Sequence, residues 1–197
     1  MKEKIIKQLK ESAEVKEKCV ICADSIECAV TMIIKCFKSG NKLLLCGNGG
    51  SAADSQHIAA EFVNKFRFDR DPLPAIALTT DSSILSSVGN DSSFSYVFEK
   101  QIRAIGKEGD LLIISTTSDF EKKENSHSSN LYFALRAAKE RGLGTIGFVS
   151  QKSKEILNQL DVAIQIPSKD TPRIQEAHLT IAHIICDLVE QRMFPNE

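Results

Sequence analysis

His57 and Glu61 stand four positions apart in CGNGGSAADSQHIAAEF, residues 46 to 62, and on a helix that spacing puts them on one face, a turn apart. An imidazole and a carboxylate so placed can ligate one divalent ion, or act as acid and base on one substrate. A solvated i,i+4 pair is the plainer alternative. The same stretch opens with Gly47-Asn48-Gly49-Gly50-Ser51. Glycines allow positive φ and close backbone approach, and a helix that follows them offers unpaired N–H groups to an anion. The pattern is neither GxGxxG nor a Walker loop, because no Lys-Ser/Thr pair follows, and this disfavours dinucleotides and nucleotides. A tight turn without a ligand would also account for the glycines.

Two other stretches carry polar groups at informative spacing. Ser115-Thr116-Thr117-Ser118 places four hydroxyls in a row. Hydroxyls and backbone N–H groups can satisfy phosphate oxygens without a fixed charge, although such clusters also simply mark loops. Near the end, RIQEAHLTIAHIICDLVEQ contains Arg173, Gln175, His178 and His183. At about 100° per residue, Ile174, Ala177, Ile181, Ile184, Ile185 and Leu188 form one apolar stripe. His178 borders that stripe, while His183 lies nearly opposite it on a side shared with Gln175, Leu179 and Cys186. His183 is therefore the expected partner of Gln175, and His178 the expected packing-boundary histidine.

The elements that must position these groups alternate along the chain. KLLLCGN (42–48), PAIALTT (74–80), DLLIIST (110–116), GTIGFVS (144–150) and DVAIQIPS (161–168) are short, nearly continuous apolar runs, as strands buried on both faces read. Helical spacing marks residues 3–38, ending at Ser39-Gly40, then 52–64, 83–88, 94–105, 130–141, 153–158 and a long amphipathic segment, 171–193. Strands and helices taking turns imply a parallel sheet with helices on both faces. In such sheets ligands bind at the carboxyl ends of the strands, which is where the glycine turn and the hydroxyl run fall.

The 197 residues, 42% hydrophobic, suffice for one domain with a substantial core, and neither repeat nor linker divides them. Lys plus Arg (25) and Asp plus Glu (26) nearly cancel, so no net field favours nucleic acid or membrane lipid. Lacking a long apolar window and a signal-peptide pattern, the chain reads as cytoplasmic. Its six cysteines do not suggest a disulfide frame, and the lone CxxC at Cys19 and Cys22 reads as buried thiols rather than half a zinc site.

Taken together, CGNGGSAADSQHIAAEF, LTTDSSILSSVGND (78–91), the Ser-Thr loop and RIQEAHLTIAHIICDLVE resemble the phosphoheptose isomerases of the sugar isomerase (SIS) domain class, over nearly the whole chain. The resemblance implies a single SIS domain with a flavodoxin-like three-layer α/β/α sandwich, a five-stranded parallel sheet and long terminal helices. It also implies a homotetramer that uses residues 1–40 in oligomerisation and places its sites between subunits. The implied reaction converts sedoheptulose 7-phosphate to D-glycero-D-manno-heptose 7-phosphate, for lipopolysaccharide or capsule heptose.

By position, Glu61 and His183 match the family's catalytic residues, and His57, Glu61, Gln175 and His183 match the ligands of one zinc per subunit. Asn48, Gly49, Gly50, Ser51, Glu61, Asn90, Asp91 and Gln175 match substrate contacts, with Ser115, Thr116, Thr117 and Ser128 at the phosphate-loop positions. The chain departs from the family's GISTSGNS, reading IISTTSDFEKKENSHSSN, with Ser118 in place of a glycine and an insertion around DFEKKEN. Such a change can reshape the phosphate pocket. It leaves two alternatives: an isomerase of a related sugar phosphate, or a non-catalytic member that binds a sugar phosphate or the replication initiator. Retention of all four ligand residues counts against the second. The charged segment 119–127, with Phe120 its single apolar anchor, is expected to be a mobile loop.

Overall fold

The computed structural model describes residues 1–195. Every residue of Leu43–Gly47 (β1) is buried, and so is every residue of Leu111–Ser115 (β3). Ala75–Ala77 (β2), Gly144–Ser150 (β4) and Val162–Ile166 (β5) complete one sheet in the order β2-β1-β3-β4-β5, parallel at each pairing. All five expected strands form, each within its apolar run.

Alternation along β1 separates two cores. Leu43 and Leu45 pack with residues of helices Ala23–Lys38 (α2), Gly50–Val63 (α3) and Thr171–Met193 (α7). Leu44 and Cys46 face the other way, towards Ser82–Asp91 (α4), Val97–Ile105 (α5) and Ser129–Glu140 (α6). Helices thus cover both faces, giving the expected α/β/α sandwich. The placement of α3 and α7 on the same face is what brings the candidate site together. Gly40, at φ 70°, ends α2, and Pro172 occupies the first turn of α7, where its missing N–H costs nothing.

The N-terminal helix is interrupted. Lys2–Lys18 (α1) and α2 are joined by a 3-10 turn at Cys19–Cys22. All six cysteines are free. Cys19 Sγ donates to Val15 O at 3.2 Å and Cys22 Sγ to Gln165 O at 3.3 Å, and burial pushes the Cys19 thiol up to about 11. These are structural thiols. Among the described residues no helix is long and apolar enough to cross a membrane.

Two expectations need correction. Residues 153–158 do not form a helix: the chain makes turns and one 3-10 turn at Leu157–Gln159, because so short a connection to β5 cannot offset the cost of helix nucleation. Ile184, placed in the core stripe of α7, is 43% exposed, and with Leu188 and Val20 it lines an apolar groove between α7 and the start of α2. The 119–127 segment has more anchors than its charges suggest. Phe120 is buried against Tyr132, and the Asp119 carboxylate accepts from the N–H groups of Lys154, Glu155 and Ile156. Tyr96 donates to Glu124 at 2.9 Å and Ser93 to Asn125 at 2.6 Å.

His178 is the packing histidine expected, and it is fully enclosed. It is 2% exposed, sits edge-on to Phe148, and donates from Nε2 to Val149 O at 3.2 Å, leaving Nδ1 without a partner. Burial pushes its pKa down to about 4, partly opposed by the bond to Val149. Between the unfolded-state value near 6.5 and that figure, the unfolded chain binds a proton that the folded chain does not. Stability from this group is complete above that range and falls with pH across it, by about 3 kcal/mol in all at ~1.4 kcal/mol per pKa unit. Urea unfolding at pH 7 and pH 5 should show about 2 kcal/mol of this loss in the parent, the rest falling below pH 5, and a smaller loss in His178→Leu.

Candidate active site

The turn after β1 depends on missing side chains. A Cβ on Gly47 would lie 2.7 Å from Ser51 O, so only glycine lets the chain fold back this tightly into α3. Gly49 follows at φ 56°. Gly50 leaves a space filled by the Gln175 side chain from α7. Ser51 is buried in the first turn of α3.

Two turns further along α3, the imidazole and carboxylate meet. His57 Nε2 lies 2.9 Å from Glu61 Oε1, and His183 Nε2 approaches His57 Nε2 to 3.4 Å across the gap between α3 and α7. One donor atom from each of the three residues lies within 4.8 Å of the others. His57 is exposed, while Glu61 and His183 are half-buried, so the cluster is open on one side. The ring of Phe66 packs against His183 at 5.5 Å. Burial raises the Asp54 carboxyl above the ordinary range, with His57 nearby acting in the opposite direction, and one Asp54 oxygen has no partner. Cys186 is pushed up to about 12 by burial first, and then by the neighbouring Glu61.

Two imidazoles and a carboxylate converging on one point form a donor set that suits zinc. A neutral imidazole can direct a single N–H from Nε2 to only one of the two groups that face His57. A cation shared among three lone pairs would satisfy all of them at once.

On the other side of the glycine turn lies a cavity of about 420 Å³, lined by Asn48, Ser128, His127 and Asn130 among others. The amides of Asn48 and Asn130 exchange two hydrogen bonds, 2.9 and 2.7 Å long, tying the end of β1 to the start of α6. Ser128 has φ 52° and makes no side-chain cap to α6. Ser115 and Thr116 are buried and Thr117 half-buried at the end of β3. Thr116 Oγ1 donates to Ser118 O at 2.9 Å, within the hydroxyl run. Asn90 and Asp91 lie exposed at the end of α4, with Asn90 donating to Asp91 at 2.8 Å.

A model of the SIS domain matches residues 7–150. The phosphoheptose isomerase of Clostridium acetobutylicum is 51% identical over 197 residues, covering 98% of this chain and 97% of that protein. The chain belongs to the phosphoheptose isomerase family. The Aneurinibacillus thermoaerophilus member is 45% identical, across 100% of this chain and 98% of its own length. The solved phosphoheptose isomerase of Neisseria gonorrhoeae superposes with a TM-score of 0.87 at 36% identity, covering 96% of this chain and 98% of that one.

Within this family member, the structure brings together His57, Glu61 and His183, with Gln175 against the start of the same helix. Sequence reasoning missed several participants. Asn130, which holds Asn48, gave no signal beyond its helix-start position. His127, whose Nε2 lies 2.9 Å from Ser118 Oγ beside the cavity, was visible as the one histidine of the inserted segment. Glu190, which stands between Val189 and Gln191 and accepts the backbone N–H groups of Phe66 and Arg67, gave no signal of partners so distant in sequence.

Proposed function

We propose that this chain is a phosphoheptose isomerase, converting the ketose sedoheptulose 7-phosphate to the aldose D-glycero-D-manno-heptose 7-phosphate through an enediol. What carries the reading is the convergence of His57, Glu61 and His183 from two helices in a chain of this family. Isomerisation moves a proton between adjacent carbons, so it needs a base at carbon, an acid at oxygen, and stabilisation of the oxyanion that develops. Glu61 takes the proton from one carbon and returns it to the next. His183 exchanges a proton with the neighbouring oxygen. Asn48 to Ser51, Asn90, Asp91 and Gln175 contact the sugar, and Ser115, Thr116, Thr117 and Ser128 receive its phosphate.

His57, Glu61, Gln175 and His183 would hold one zinc ion per chain. Such an ion supplies Lewis acidity at the carbonyl or fixes the geometry of its ligands. The product feeds heptose synthesis for lipopolysaccharide or capsule, in the cytoplasm, where phosphorylated sugars are interconverted. The inserted segment beside the phosphate pocket favours one second reading, a related sugar phosphate as substrate.

Assembly as a homotetramer, with sites between subunits, is supported by unpartnered apolar surface in the first 40 residues. No residue of α1 is buried, and Ile5 and Leu9 are 53% and 66% exposed. Val20 is 76% exposed beside the groove that Ile184 lines. A second copy is the occupant whose helices would cover this surface.

The purified chain should isomerise sedoheptulose 7-phosphate, lose activity with a chelator and regain it with zinc. Glu61→Gln and His183→Ala should each lower kcat at least about 100-fold, the scale of lost acid–base catalysis. A parent inactive on this substrate under every metal condition, but active on another sugar phosphate, would select the second reading. Light scattering should give a tetramer for the parent and a smaller species for Val20→Glu/Ile184→Glu; an unchanged mass would remove this groove from the interface.

A further inference from the structure

The turn that follows α3 is held by an ion pair whose two side chains are buried. The side chains of Arg70 and Glu190 are each 1% exposed, with Arg70 Nε donating to Glu190 Oε1 at 2.9 Å. Glu190 also accepts the N–H of Phe66 at 2.9 Å and that of Arg67 at 2.7 Å. The Arg70 guanidinium in turn donates to the carbonyls of Glu61 and Phe62, both at 2.9 Å, which belong to the last turn of α3. Those carbonyls have no partner within the helix, so Arg70 serves as their cap.

Glu190 lies seven residues beyond His183 on α7, two turns along nearly the same face. Its carboxylate therefore fixes, from the helix that carries His183, both the backbone of Glu61 and the loop that carries Phe66. The Phe66 ring rests on the His183 ring at 5.5 Å, tilted by 35°. The Arg67 side chain reinforces the arrangement, donating to Asp187 at 2.8 Å and lying over the Phe66 ring. A buried ion pair gives little net stability compared with apolar side chains of the same volume. What this one supplies is direction, through bonds to named backbone atoms.

We infer that Glu190 and Phe66 are positioning residues for the reaction centre: Glu190 pins the turn after α3, and Phe66, carried by that turn, sets the orientation of His183 against His57 and Glu61. The inference rests on the reading of those three residues as the reaction centre.

The test compares Phe66→Leu, Phe66→Tyr and Glu190→Gln, reading kcat, KM and affinity for zinc alone by competition with a chromophoric chelator. In Phe66→Leu, kcat and zinc affinity should each fall about tenfold, the scale of lost support around a metal site, while KM stays within about twofold. Phe66→Tyr should restore both, since it returns the ring. Glu190→Gln should share the pattern; should it fail to fold, Phe66→Leu decides, because it leaves the buried pair intact. Parental kcat and zinc affinity in folded Phe66→Leu would overturn the inference, as would equal losses in Phe66→Tyr. A parent without heptulose phosphate activity refutes the reaction assigned above, and zinc affinity then judges the positioning role by itself.

Discussion

The site exists only while α3 and α7 lie close together, and they are fastened at both ends. At their starts, Gly50 has no side chain and Gln175 fills the space. Near their ends, the Arg70–Glu190 pair spans the gap, with Arg70 capping α3 and Glu190 rising from α7. Between these fastenings His57 and His183 come within 3.4 Å. Breaking a buried ion pair by removing one partner costs about 3–5 kcal/mol, against total stabilities of about 5–15 kcal/mol. One interaction therefore bears on both the fold and the geometry of the cluster.

Much of this was legible in the sequence, for identifiable reasons. Strands covered on both faces must be apolar throughout, so LLLCG and LLIIS read as buried strands, although their place in the sheet order did not follow. The bounds of α7, Thr171–Met193, followed from its long amphipathic periodicity, and the proline in its first turn suits a helix start. Helical arithmetic alone separated His183, which meets His57, from His178, which packs on Phe148. Other features depend on partners distant in sequence. Phe66 and Glu190 are 124 positions apart, and Asn48 and Asn130 are 82 apart. Ile184 fits the apolar periodicity of α7, yet it lines the open groove beside Val20, while its neighbour Ile185 is buried.

The two halves of the proposed site are built on different terms. The half bearing His57, Glu61 and His183 stands on regular helices, whose geometry one tight turn and one ion pair fix. The half proposed for phosphate is assembled from strand ends, the start of α6 and an inserted loop anchored by Asp119 and Phe120. Loops on a rigid scaffold are where binding preferences diverge. The proposed function accordingly assigns substrate preference to the loop beside Ser128 and His127, and proton transfer to the paired helices.

Proton transfer at carbon by Glu61 is the claim on which the functional account stands, and isotope exchange addresses it most directly. In deuterium oxide, the parent enzyme should introduce deuterium at carbon 2 of the aldose product as sedoheptulose 7-phosphate turns over, followed by proton NMR. Glu61→Gln should neither exchange nor isomerise at a measurable rate. Exchange and turnover at the parental rate in that variant would contradict the assignment of Glu61 as the base.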